Sequence, residues 1–136
     1  MKTTANPGLP RMGLGMAALG RPGYINLDRS AIFGDKNRTV QAMQEQANKV
    51  MDRLFTLQGQ QGSYVPWLDC ARSYGLSEEF VGKYLRSNKV GRDSVFVSSK
   101  WGYTYVADWK VQLDDRDAKH EIKDHSTENF LKQLKE

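Results

Sequence analysis

Asp69, Tyr74 and Lys100 bring a carboxylate, a phenol and an ammonium into one stretch of the chain. An unperturbed tyrosine titrates near pH 10, so at neutral pH it moves protons poorly unless something stabilises its phenolate. An ammonium a few ångströms away would do so, and a carboxylate would keep that ammonium charged and in place. The chemistry this combination implies is general acid catalysis, with Tyr74 as the acid, Lys100 as the group that tunes it and Asp69 as the partner of Lys100. Residue types alone carry little, because surface charges and half-buried tyrosines are common. Their placement decides the matter.

Residues 65–71 form a short apolar run after a glycine- and glutamine-rich turn, which suits a buried strand. Alternation puts Val65, Trp67 and Asp69 on one face. A second apolar run, residues 94–99, leads into Lys100, which shares a face with Phe96 and Ser98. Between the two, residues 77–85 read as a helix: Ser77 stands as its N-cap, Glu78 and Glu79 favour the first turn, and Phe80, Val81, Tyr84 and Leu85 make an apolar stripe. Strand, helix and strand make a βαβ unit whose right-handed crossover runs the strands parallel. Asp69 and Lys100 then emerge at the same, carboxyl, end of the sheet, with Tyr74 on the turn that follows Asp69. Open α/β sheets and barrels place their active sites at that end.

The segment Asp69-x-Ala71-x-x-Tyr74-Gly75-x-Ser77-Glu78 resembles the signature of the aldo-keto reductase family. Ser98, Ser99, Lys100, Trp101 and Gly102 are similar to that family's lysine strand, residues 11–20 resemble its first barrel strand, and Lys123, Asp124, His125 and Ser126 resemble the start of its third main helix. The resemblance implies an α/β fold, a partial (β/α)8 TIM barrel holding the first three β/α units, over residues 11–136, with residues 1–10 as an amino-terminal tail. It also implies NADPH as cofactor and a small-molecule carbonyl as substrate, reduced by hydride while Tyr74 protonates its oxygen. Carried over by position, Gly15, Met16, Ala17 and Asp69 lie near the nicotinamide end, Gly15 to Ala17 through their backbone, and Tyr24 and Trp101 are aromatic contributors to the carbonyl pocket. Met16 and Cys70 stand where many members carry threonine. The family's fourth catalytic residue, a histidine at the end of the next strand, and most of its cofactor grip have no counterpart before Glu136. The 136-residue chain is therefore expected to be truncated and inactive by itself, the alternative being a non-catalytic fragment or a regulatory or interaction protein on the same scaffold.

The bulk numbers fit that reading. A (β/α)8 barrel takes about 250 residues, and three strands with a helix make an arc with two unpaired edges. One cysteine excludes an intramolecular disulfide and suits a reducing, cytoplasmic setting, with Cys70 read as a small buried hydrophobe. No run of about 18 apolar residues indicates a membrane span. The net charge of +4, with Trp101, Tyr103, Tyr105 and Trp109 interleaved with Lys100 and Lys110, invites a nucleic-acid reading. Asp114, Asp115 and Asp117 close the same loop and argue against it.

Two other motifs fail on spacing. Gly13, Gly15 and Gly20 do not make G-x-G-x-x-G, whose third glycine would fall at Ala18. His120 and His125 are five apart, where a zinc-binding HExxH needs four, so no metal site is expected. The remaining organisation is coarser. Residues 20–38 read as a long connection, and residues 39–58 as a helix with Val40, Met43, Ala47, Val50, Met51, Leu54 and Phe55 along one stripe and Gly59 as its stop. Residues 101–124 read as a loop, and Ser126 caps a final helix with Phe130, Leu131 and Leu134 on its apolar face.

Overall fold

The computed structural model describes residues 12–24, 30–33, 38–61, 65–113, 115 and 117–136; the rest of the 20–38 connection and the amino-terminal tail lie outside the described residues. The chain is a mixed α/β structure around a three-stranded parallel sheet. Strands β1 (Leu14–Gly15), β2 (Trp67–Asp69) and β3 (Phe96–Ser98) lie in the order β1-β2-β3. Register sets Leu14, Leu68 and Val97 side by side, and likewise Gly15, Asp69 and Ser98. Because partners in register share a face, Gly15, Asp69 and Ser98 line one side of the sheet and Leu68 the other.

The Leu68 side carries the core. Helix α1 (Ala17–Gly20) and the short α2 (Ser30–Phe33) precede α3 (Val40–Gln61), and α4 (Ser77–Ser87) links β2 to β3. Met43, Ala47 and Met51 of α3 and Phe80, Val81 and Tyr84 of α4 bury themselves against Met16, Leu68 and Cys70. Phe80 is fully enclosed, and burying a side chain of that kind stabilises by about 1.5–3 kcal/mol. Tyr84 is anchored at its polar end, its hydroxyl donating to Asp52 Oδ1 at 2.8 Å, and burial followed by that carboxylate pushes the phenol up to about 12.

Several sequence expectations are corrected in detail. The strand at 65–71 is shorter, yet its pairing runs on through Phe96 N–H to Pro66 O, Cys70 N–H to Ser98 O and Arg72 N–H to Lys100 O. Ser77 is the first helical residue and not the cap; it is fully buried and its hydroxyl donates to Ala71 O. Leu76 occupies the cap position without a side-chain hydrogen bond. Gly59 does not stop α3, which continues to Gln61, since one glycine inside a helix costs only about 1 kcal/mol. Val40 is also exposed and leaves the buried stripe to Met43, Ala47 and Met51.

The loop expected at 101–124 contains an antiparallel pair, β4 (Tyr103–Tyr105) with β5 (Glu121–Lys123), in which Thr104 faces Ile122. Helix α5 (Thr127–Lys135) follows, and its N-cap is Ser126, whose Oγ accepts from Asn129 N–H at 3.2 Å. The buried face of α5 is polar, contrary to its apolar pattern. Gln133 donates to Tyr103 O and Thr104 Oγ1 and accepts from Gly102 N–H, and Asn129 donates to Asp124 O. Phe130, Leu131 and Leu134 stay exposed. No helix among the described residues is long and apolar enough to cross a membrane.

Candidate active site

Asp69 ends β2, Lys100 lies two residues beyond β3, and Tyr74 sits on the turn between β2 and α4. Parallel pairing brings the first two together: Lys100 Nζ donates to Asp69 Oδ2 at 2.6 Å and to Cys70 O at 2.9 Å. The same ammonium stands 4.8 Å from the centre of the Tyr74 ring. Desolvation works against the Lys100 charge, but Asp69 first and then Tyr74 outweigh it, so the lysine holds its proton above its ordinary range. Asp69 is shifted the opposite way. Partial burial would raise it, and hydrogen bonds from Lys100 and Ser98 with the Lys100 charge bring it below the usual carboxylate value.

The turn that carries Tyr74 is fixed by a close approach of two backbones. Leu76 N–H donates to Gly20 O at 2.8 Å, and Gly75 sits at φ +60°, a region that suits glycine. A Cβ on Gly20 would stand 2.2 Å from Tyr74 O and 2.6 Å from Ser77 Cβ. Gly20→Ala is therefore expected to displace the Tyr74 turn at a cost of about 1–3 kcal/mol, read as a lower thermal midpoint together with reduced turnover. An unchanged midpoint would show that the contact relaxes without effect.

Two residues assigned no role from sequence support the carboxylate. Ser98 Oγ donates to Asp69 Oδ1 at 2.6 Å, and Trp67 Nε1 donates to Ser98 Oγ at 2.8 Å. The signal for both was alternation, since each stands two positions before a site residue, Asp69 or Lys100. Further out, Arg72 bridges Glu78 at 2.6 Å and also Glu136, while Ser99 Oγ donates to Glu78 Oε1 at 2.5 Å.

The other sequence candidates fall in different surroundings. Gly15 lies in register with Asp69, and a Cβ there would meet nothing within 4 Å, so the sheet face beside the Asp69–Lys100 pair is open. Met16 is fully enclosed, its N–H donating to Asp69 O at 2.9 Å and its carbonyl accepting from Gly20 N–H at 2.7 Å, and Ala17 is buried beside it, so neither is open for the backbone contact expected from sequence. Trp101 follows Lys100 and packs on His125 and Phe130, with ring centres at 5.3 and 5.0 Å. Together with Lys100 and Leu134 it lines a hollow of about 180 Å³. Tyr24 lies under the Arg21 guanidinium at 5.0 Å, and Arg21 is itself tied to Ser73 O, next to Tyr74, and to Glu121. Cys70 is fully buried and desolvation pushes its thiol up to about 11, which leaves it protonated and unreactive at neutral pH.

A lysine–aspartate pair and a tyrosine thus stand at the carboxyl end of a parallel sheet backed by helices. The pattern of the Aldo/keto reductase family matches residues 11–136, and the chain belongs to that family. No curated protein and no solved structure matches it.

Proposed function

We propose that these residues form the proton-delivering part of an NADPH-dependent carbonyl reductase built on a (β/α)8 barrel, whose first strands are β1, β2 and β3. The observation that carries the reading is the single ammonium of Lys100 placed between Asp69 and the Tyr74 ring. Tyr74 gives its proton to the carbonyl oxygen. Lys100 stabilises the negative charge left on the phenolic oxygen, and Asp69 keeps Lys100 charged and aimed. Bound NADPH supplies the hydride that arrives at the carbonyl carbon.

The residues present fit that cofactor at one end. Gly15 leaves the sheet next to Asp69 open, since a Cβ there would meet nothing within 4 Å, while Met16 and Ala17 lie buried behind it. Gly15 and Asp69 would border the nicotinamide end, with the buried Met16 and Ala17 supporting them from behind, and Trp101 and Tyr24 would wall the carbonyl pocket. The test is NADPH consumption by the natural protein that contains these residues, with para-nitrobenzaldehyde as a first probe and a panel of aldehydes and ketones behind it. Carbonyl-dependent consumption is expected. Its absence across the panel would favour the second reading, an interaction protein on the same scaffold, for which the exposed Phe130, Leu131 and Leu134 speak.

A further inference from the structure

Asp69 has two carboxylate oxygens and both are engaged. Oδ2 receives the Lys100 ammonium and Oδ1 receives the Ser98 hydroxyl, each at 2.6 Å. The direction of the second bond is forced by chemistry. An indole N–H can only donate and an ionised carboxylate can only accept, so the proton order runs from Trp67 to Ser98 to Asp69. Trp67 is fixed in turn by a missing side chain: a Cβ on Gly13 would stand 2.7 Å from Trp67 Cδ2, so the indole packs directly against that glycine. Trp67, Asp69 and Ser98 thus form a one-way row of hydrogen bonds on a single face of the sheet.

We infer that Ser98, oriented by the Trp67 indole, is a positioning residue that fixes the plane of the Asp69 carboxylate and through it the place of Lys100 beside Tyr74. This rests on the reductase reading above. With Oδ1 tied to Ser98, the carboxylate cannot swing about its last bond, and Oδ2 stays aimed at Lys100. The lysine side chain is half exposed, and its other acceptor is the Cys70 carbonyl. Releasing the carboxylate would therefore let the ammonium drift toward water and away from the phenol. Ser98 acts at one remove, through Asp69 and Lys100.

The test compares Ser98→Ala, Ser98→Thr and Trp67→Phe with the parent in the natural protein, measuring kcat and KM for NADPH and para-nitrobenzaldehyde. Loss of a hydrogen bond to a charged group predicts a fall in kcat of about 10- to 100-fold for Ser98→Ala, with both KM values unchanged. Ser98→Thr, which keeps the hydroxyl but adds bulk, should recover most of the rate. A pure packing role predicts the reverse order, because alanine fits and threonine crowds. Trp67→Phe removes the N–H and keeps an aromatic ring on Gly13, so it should lower kcat by less than Ser98→Ala, and it decides the question if Ser98→Ala fails to fold. Parent-like kcat in Ser98→Ala and Trp67→Phe, in a protein that Tyr74→Phe still disables, overturns the positioning role alone. Full activity of Tyr74→Phe overturns this role together with Tyr74 as the acid, whereas no carbonyl-dependent NADPH consumption by the parent overturns the reductase reading itself.

Discussion

Tyr74→Phe is expected to lower kcat by about 10²–10⁴, the range for loss of a positioned general acid, while NADPH binding stays close to that of the parent. The substitution removes one oxygen from a half-buried ring. Tyr74 is placed by its backbone: its N–H donates to Ala71 O at 3.0 Å, and its own carbonyl accepts from Ser77 N–H at 3.1 Å. A phenylalanine in that turn keeps the same path and the same ring beside Lys100. Stability should therefore change little, which separates a chemical loss from a folding loss. A mutant that reduces carbonyls at the parent rate would remove Tyr74 from the mechanism.

Lys100→Met is expected to be comparably damaging to turnover, by about 10²–10³, the usual consequence of deleting a preorganised charge at a reacting centre. Its effect on stability should be far smaller. The Lys100 side chain is half exposed and that of Asp69 about a quarter exposed, and ion pairs of such exposure contribute about 0–1 kcal/mol. Asp69 also retains the Ser98 hydroxyl as a donor, so the mutant does not leave a carboxylate without a partner.

The signs of the two titrations define where this pair operates. Asp69 has a lowered value in the folded state, so its contribution is present above the unfolded carboxylate value of about 4 and is lost as pH falls through the folded one. Lys100 has a raised value, so its contribution is full below the unfolded lysine value of about 10.4 and is lost as pH rises through the folded one. Between those limits the pair is intact. Thermal midpoints measured across pH should show the parent losing its small advantage over Lys100→Met only outside that window. An advantage that vanished near neutrality would place the coupling elsewhere.

The parts of the fold set by local pattern were legible from sequence. Alternation in residues 65–71 and 94–99 located β2 and β3, and the crossover rule then put Asp69 and Lys100 at one end, where the structure holds them 2.6 Å apart. Helix α4 was equally clear, because Phe80, Val81 and Tyr84 repeat at helical spacing and all three are buried. What was not legible depended on partners distant in the chain. Ser77 has the composition of a cap, yet Gly20 approaches so closely that the hydroxyl is buried against Ala71 O. Phe130, Leu131 and Leu134 have the pattern of a core face, yet the amides of Asn129 and Gln133 find backbone and hydroxyl partners at Asp124, Gly102, Tyr103 and Thr104 and turn the helix the other way.

The β4–β5 pair was missed for a related reason. Tyr103, Thr104 and Tyr105 have strand-forming side chains, but their partner strand lies beyond a charged segment, so three residues on each side carry too short an alternation to signal the pairing. In the site itself, the Asp69–Lys100 pair and the nearness of Tyr74 to it followed from residue type and order. Ser98 and Trp67 did not, because a hydroxyl and an indole gain meaning only once register sets them against Asp69.

The central claim, proton delivery by Tyr74, is tested most directly by a crystal structure of the natural protein with NADP and a carbonyl-bearing inhibitor bound. The carbonyl oxygen is expected at hydrogen-bond distance, about 2.6–3.2 Å, from Tyr74 Oη, with Lys100 still bonded to Asp69. A carbonyl oxygen bound out of reach of Tyr74, with another group donating to it, would contradict the claim.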